Sequence, residues 1–318
     1  MLWLKYHAKE SQSIACCLGE KSYSIAAVKD NKKILFANHR EFPNKLPGEI
    51  TQCLVEDVKR LQVVGEPCRI ILAQELYQLL LMDALDLPEE ELAKAFRWRL
   101  KGLVDYPLND IAVDAFPIPL HGMVGQRKKV FVAVTPLSGL KAIVSMFETA
   151  YLEVSSIGIA ELALRNLVAL IATKPDTPVI VISLEEGGYQ LQILYDNHLY
   201  LVRELTVSKA KNEQDPGAQE LLLEIQRSMD YCLSELKLPE PKQILFTPGF
   251  YESKPLLQFL QQELSKEIRL LNLNDYLEAE PSLGFKEQQA CFYSLGGAMT
   301  LNQVEQQEPE PVINEARN

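Results

Sequence analysis

The chain has 318 residues, of which 47% are hydrophobic and 24% charged, and carries a formal net charge of -11 at pH 7. That length accommodates two domains with separate cores. The acidic balance argues against a nucleic-acid binder, which presents a basic face to phosphates, and no run of about eighteen apolar residues exists to span a membrane.

In chain order, 12–38 alternates as strands: QSIACCLGE, then KSYSIAAVKDN, then KKILFANHREF. Gly19-Glu20-Lys21 and Asp30-Asn31 are natural turns between them. A helix is expected at about 47–62, with Leu54, Val58 and Leu61 on one face, followed by a doubly buried strand at 68–74. The stretch 76–87 reads as partly strand. Pro88 then opens a helix whose first turn holds Glu89, Glu90 and Glu91, and whose apolar stripe is Leu92, Ala95, Phe96, Leu100 and Leu103. Strands at about 111–118 and 129–135 and a helix from Pro136 to about Ala150 complete a compact subdomain at 76–157.

A helix at 158–173 leads to a second three-strand pattern at 178–185, 188–195 and 198–206, turning at Glu186-Gly187 and Asp196-Asn197. A long helix at about 215–237 follows, with Leu222, Ile225, Met229, Leu233 and Leu236 on one face. Then come a strand at 242–249, a helix at 253–265, the strand IRLLNL and a helix at 288–302 bearing Gly296-Gly297. The acidic, Pro-bearing stretch 303–318 is expected to be disordered. Two halves that each open with three antiparallel strands point to an internal duplication.

Cys16, Cys17, Cys53, Cys68, Cys232 and Cys291 show no CxxC spacing, and His7, His39, His121 and His198 do not cluster with them. Buried thiols are expected rather than metal ligands. MLWLKYHAKE is too short and too charged for a signal peptide, so a cytosolic location is expected. Four scattered histidines and no Gly-x-Ser-x-Gly elbow leave no nucleophile with an evident base, and no catalytic residue is expected.

Three segments together resemble the PilM family of actin-like type IV pilus assembly proteins. LDLPEEELAKAFRWRLKGLVDYPLNDIAVDAFPI (85–118) resembles its Leu-Pro, acidic helix start, helical Trp and Pro-Leu-(Asp/Asn)-Asp turn. KVFVAVTPLSGLKAIVSMFETAYLEVSSIGI (129–159) and LLLEIQRSMDYCLSEL (221–236) are similar to its following strand–helix–strand and its Ile-x-Arg-Ser helix. The resemblance runs over about 10–302. The short first strands and altered turns are most similar to the MshI branch, which serves mannose-sensitive haemagglutinin-type pili.

The resemblance implies an α/β chain of actin-like ATPase fold: two RNase H-like domains with an inserted subdomain. The first would span 1–75, completed by 158–175 and 288–302; the insertion 76–157; the second domain 176–287. It also implies a cytoplasmic scaffold lying under the inner membrane. That scaffold would bind the N-terminal tail of a bitopic, PilN-like partner, in a groove between the insertion and the first domain, and link it to the assembly ATPase side of the machine.

ATP with Mg would be the family's cofactor, and actin-like binding needs two phosphate turns with an Asp each and a Gly-rich adenosine loop. The first turn here is Cys16–Ser22, with Cys17 where the Asp is expected and Gly19 alone keeping its position. In the second, Ser183 takes that place, followed by Glu185, Glu186, Gly187 and Gly188. The adenosine loop is Thr247-Pro248-Gly249-Phe250, in which Pro248 removes a donor and Phe250 adds bulk. The reading is a scaffold that does not hydrolyse ATP, with Gly19, Ser22, Glu185, Gly187, Gly188 and Gly249 as the nucleotide contacts if any binding is retained. A working ATPase that holds Mg²⁺ through Glu185 and Glu186 is the alternative. A GspL-like secretion domain is the third reading, disfavoured by the acidic end of the chain.

Trp98, flanked by Arg97 and Arg99, lies off the apolar stripe of its helix and is either a partner contact or a boundary residue packed on the next strand. Gly296-Gly297 reads as close packing ahead of a nucleotide contact. Arg227 and Asp230 read as a solvated i, i+3 pair, and Asp105, Asn109 and Asp110 around Pro107 as a turn.

Overall fold

The computed structural model describes residues 12–42, 48–85, 87, 89–119, 128–171, 176–185 and 188–300. The expected tail at 303–318 therefore lies outside the described residues, as do Gly187 and Glu186.

Strands β1 (Gln12–Leu18), β2 (Ser22–Lys29) and β3 (Lys33–Glu41) form an antiparallel meander. Its second turn places Asp30 (φ 53°) and Asn31 (φ 55°) in the left-handed region that short polar side chains tolerate. Helix α1 (Glu49–Arg60) buries Ile50, Leu54 and Val58, and β4 (Pro67–Leu72) runs parallel to β1. Strand β5 (Gln78–Asp83), α2 (Glu89–Arg99), β6 (Ile111–Pro117) and β7 (Lys129–Pro136) make a three-stranded antiparallel sheet in the order β5-β7-β6. Phe96 and Leu100 pack with Ile111, Val130, Val132 and Val134 to form its core. After α3 (Leu137–Thr149), β8 (Glu153–Ile159) pairs parallel with β4. The first large sheet is thus β3-β2-β1-β4-β8. The residues expected to form a separate insertion, 76–157, therefore give their last strand to that sheet, because α3 carries the chain back beside β4.

Helix α4 (Ala160–Ile171) crosses to the second half, where β9 (Val179–Glu185), β10 (Gly188–Tyr195), β11 (His198–Leu205), α5 (Pro216–Ser234), β12 (Gln243–Phe246), α6 (Lys254–Leu264) and β13 (Glu267–Leu270) follow. Their sheet order, β11-β10-β9-β12-β13, repeats that of the first. The duplication extends to detail. Asp196 (φ 47°) and Asn197 (φ 58°) reproduce the left-handed pair of the first half. Both hairpins also shift register at one place: between Ala27↔Phe36 and Val28↔Ile34 in one, and between Ile193↔Leu201 and Leu194↔Leu199 in the other.

The described residues end with α7 (Phe285–Ala290) and α8 (Phe292–Ala298), where one continuous helix was expected. Each serves a different half. Gln288 of α7 is tied to the second, accepting from the Leu273 N–H at 2.7 Å and donating to Asn272 and Leu283. Helix α8 lies on β1, β2 and α4 of the first. A Cβ on Gly296 would stand 2.2 Å from the Ala163 carbonyl oxygen, and one on Gly297 would stand 2.5 Å from Ile71 Cγ1. Both glycines are used for backbone approach, as the packing reading required.

Other stripes differ at their ends. Leu103 lies beyond α2 and is 57% exposed, and the Leu92 side chain is outside the described ones. On α5, Leu233 is exposed, and Leu221, Ser228 and Cys232 take the inner face with Leu222 and Ile225. All six cysteines are free thiols, five of them buried.

One buried carboxylate fixes α1 to its sheet. Asp57 accepts six hydrogen bonds: from the Tyr23 hydroxyl (2.7 Å), Asn38 Nδ2 (2.7 Å), Arg40 Nε and Nη2 (2.9 and 2.7 Å) and Arg60 Nε and Nη2 (3.2 and 2.8 Å). Burial pushes its carboxyl up, but the bonds from Arg40, Tyr23 and Arg60 outweigh that and hold it at about 2. Because this lies below the unfolded value of about 3.9, the stabilisation is present above about pH 4 and is lost as pH falls toward 2. Asp57→Ala leaves the buried Tyr23 hydroxyl and Arg40 without their acceptor and costs about 3 kcal/mol near neutral pH. Urea unfolding of both proteins from pH 7 to pH 2 checks this, since the gap must shrink as the acid range is entered.

Candidate functional site

Each of the turns expected to hold nucleotide is bonded by the protein's own groups. In the first turn, the Gly19 N–H donates to the Ser22 carbonyl at 2.9 Å. The next amide, Glu20 N–H, donates to the Glu75 carboxylate at 3.0 Å. A Cβ on Gly19 would stand 2.6 Å from that same Glu75 Oε1, so an acidic side chain rests directly on the turn. Glu75 comes from the one-turn helix Gln74–Leu76 after β4.

In the second turn, Glu185 accepts a hydrogen bond from the Tyr293 hydroxyl of α8 at 2.7 Å. Burial pushes its carboxyl up, and the charges of Glu161 and Glu75 add to the rise. Gly188 sits at φ 152°, and a Cβ there would meet the Leu205 carbonyl oxygen at 2.5 Å, so this glycine is required by the approach of β11. Cys17 lies within the field of both Glu75 and Glu185: burial first, then these two charges, push its thiol up. The structure thus brings the two turns face to face across a patch of carboxylates.

In the third loop, the Gly249 N–H donates to Gln289 Oε1 at 2.7 Å, and that amide leaves only 3.0 Å for a Cβ on the glycine. Phe250, expected to add bulk to the loop, instead turns into the second core and is 1% exposed. It meets Phe246 edge-on at 4.8 Å and stacks on Tyr189 at 5.5 Å. Pro248 is buried as well.

Behind the turns, Glu161 opens α4 and is 2% exposed. It accepts from the Tyr77 hydroxyl and from Gln190 Nε2 (3.1 Å), and Gln192 Nε2 donates in turn to Gln190 Oε1 at 2.7 Å. Burial raises the Glu161 carboxyl despite these donors. Among the described residues, no group of three or more His, Cys, Asp and Glu converges to hold a metal ion.

Beside this network runs a groove of about 450 Å³ lined by Gln78, Leu79, Leu80 and Leu81 of β5, by Leu103, and by Val202 and Glu204 of β11. Both β5 and β11 are edge strands of their sheets. Gln74 Nε2 and Gln78 Oε1, one donor and one acceptor, are buried at its wall with no partner among the described residues.

Arg97, Trp98 and Arg99 stand apart from the cleft on α2. Trp98 is 77% exposed, which removes the reading that packs it on a strand. Arg97 and Arg99 donate to the backbone carbonyls of Ile111 (2.9 Å) and Asp83 (3.3 Å). Arg227 pairs with Glu224 at 2.6 Å, not with Asp230. Asp110 caps α3, accepting from the Ser138 N–H (2.9 Å) and Oγ (2.5 Å), as a turn residue does. Sequence reasoning missed Glu75, Gln289, Glu161 and Tyr293. None sits in a local motif, and only the fold carries them to the turns.

No family model and no curated protein matches the chain. Among solved structures, the PilM-PilN type IV pilus biogenesis complex is similar with a TM-score of 0.67 and 17% identity, over 91% of this chain and 98% of that one. A Bacteroides thetaiotaomicron protein of unknown function, described as having an actin-like ATPase fold, is similar with a TM-score of 0.51 and 11% identity, over 88% and 95%. Together with the repeated sheet order, these likenesses establish an actin-like ATPase fold.

Folded-state burial raises Glu161 above its unfolded value, so whatever this carboxyl contributes is present below the unfolded value of about 4.3 and is lost as pH rises through the folded one. Glu161→Gln keeps the shape and both neighbours while removing the charge. Its denaturant midpoint is expected to gain on that of the parent protein as pH rises from 4 to 8; parallel curves would show that Glu161 stays uncharged throughout.

Proposed function

We propose that the protein is a scaffold of type IV pilus assembly, a PilM-type protein of the MshI branch, which holds the cytoplasmic tail of a bitopic, PilN-like inner-membrane partner and does not hydrolyse ATP. The observation that carries this reading is the occupation of the loop amides. Phosphate binding at such turns depends on free backbone N–H groups and on cations. Here Gly19, Glu20 and Gly249 donate within the protein. Glu75 and Glu185 place carboxyl groups at the two turns, and Glu161 lies behind them. A nucleotide carrying three or four charges would meet repulsion and have to displace internal bonds, so the residues present do not fit ATP with Mg.

The same fold then serves as a rigid holder. The groove beside β5 suits an extended peptide, since an edge strand offers unpaired backbone groups and the leucines offer an apolar floor. The likeness to one component of a PilM-PilN complex supports a tail of that kind as the occupant, and the sequence resemblance at 85–118, 129–159 and 221–236 supports the family.

Calorimetric titration with ATP and Mg²⁺ is expected to give no heat of binding. Micromolar binding that disappears in Glu185→Ala would overturn the scaffold reading in favour of a nucleotide-switched ATPase. Leu81→Asp puts a charge on the exposed edge of β5 and is expected to weaken capture of the partner's N-terminal peptide at least tenfold, about 1.4 kcal/mol. Capture at full strength by that variant would remove the groove from the proposal.

A further inference from the structure

We propose that the groove selects an extended peptide bearing a basic residue, whose cation is met by Glu204 of β11 while flanking apolar residues lie on the leucines of β5. This rests on the reading that the groove holds a peptide, and it adds what that peptide must carry. The residues lining the groove include two carboxyl groups, Glu161 and Glu204, and no lysine, arginine or histidine.

Gln190 ties the two acids to one wall. It lies opposite Glu204 in the register of β10 and β11 and donates to Glu161 at 3.1 Å. Glu161 is buried with its donors Tyr77 and Gln190 in place. Glu204 is exposed, so an incoming cation reaches it first. No cation stands within ion-pair distance of Glu204 among the described residues. The basic groups on the bordering strands are committed elsewhere. Arg203, the preceding residue, bonds to Glu224 and Ser228 of α5 at 2.8 and 2.9 Å, and Lys129 of β7 bonds to Asp83 at 2.5 Å. At the Leu103 rim, Lys101 and Asp105 are both exposed and opposite in sign. Glu75, beside Gln74, adds a further acidic group. Covering a carboxylate without supplying a cation strands its charge, so the wall favours a basic partner.

The rest of the groove is suited to a peptide backbone. Strand β5 is an edge strand, the element to which an extended peptide adds. Its six residues span about 20 Å. Gln74 Nε2 and Gln78 Oε1 are a buried donor and a buried acceptor without partners among the described residues. Each costs about 1–3 kcal/mol while unmatched, and a peptide unit offers the carbonyl and the N–H that they lack. The chain's own segment 303–318 carries the wrong sign, with four glutamates and one arginine. A second copy would set Glu204 against like charge. A cytoplasmic tail beside a membrane span is enriched in Lys and Arg and has the right sign.

Selection of random nine-residue peptides displayed on phage against the full chain tests this. Enriched peptides are expected to combine Leu, Ile or Val with Lys or Arg, and to be lost in Leu81→Asp. In Glu204→Lys, which alters an exposed side chain, enrichment is expected to move to Asp and Glu. For the best peptide made synthetically, replacing its basic residue by Gln is expected to weaken binding about fivefold, as is Glu204→Gln, and both together no further than either alone. Additive losses would overturn the pairing with Glu204. Enrichment of neutral peptides that Leu81→Asp still abolishes would overturn the basic preference and leave the groove as a peptide holder. No enrichment at all, or peptides bound equally by Leu81→Asp, would overturn the groove reading itself and this proposal with it.

Discussion

The contact on which the rest of the molecule depends is the approach of α8 to α4 and to the first sheet. Gly296 lies so close to the Ala163 carbonyl that no side chain fits between them, and Gly297 does the same against Ile71 and Ala15. Asn166 reinforces the pair, donating to the Gly296 carbonyl at 3.2 Å. This approach seats α8 on the first half. It also carries Tyr293 to Glu185, and α7, one residue upstream, brings Gln289 to Gly249. A wider spacing would leave those loops open to an outside ligand; at this spacing they close on the protein's own side chains.

The edge of the first sheet is closed by the second half in the same spirit. Ile34 of β3 donates to the Glu278 carbonyl, and Glu278 donates back to Lys32, both at 2.8 Å. An edge strand left open invites pairing with another chain, so this clasp leaves β5 and β11 as the edges that border the groove. Carboxyl groups gather beside the first two turns.

Much of this architecture was legible from one chain because its signals are local. The strands at 12–38 and 178–206 stand out as apolar runs bounded by turn residues, β1, β2, β9 and β10 being covered on both faces, and each repeat ends its second strand on an Asp-Asn pair able to take up φ near 50°. Helix faces were read less well at their ends. Leu103 and Leu233 continue an apolar spacing, but the partner surfaces stop short of them and both are exposed.

What composition and period settled was therefore the set of elements, their order and the doubling of the chain, because these follow from backbone preferences and from which side of each element must leave water. Which residues meet was settled only by folding. Glu75 reaches the first turn across 55 positions, and Gln289 reaches Gly249 across 40. Phe250 left the loop for the core because Phe246 and Tyr189 offered it a dry neighbourhood. Strand β8 went to the first sheet because β4 presented an open parallel edge. Contacts of that kind arise from the relative placement of separately formed elements, and no local pattern of residues encodes them.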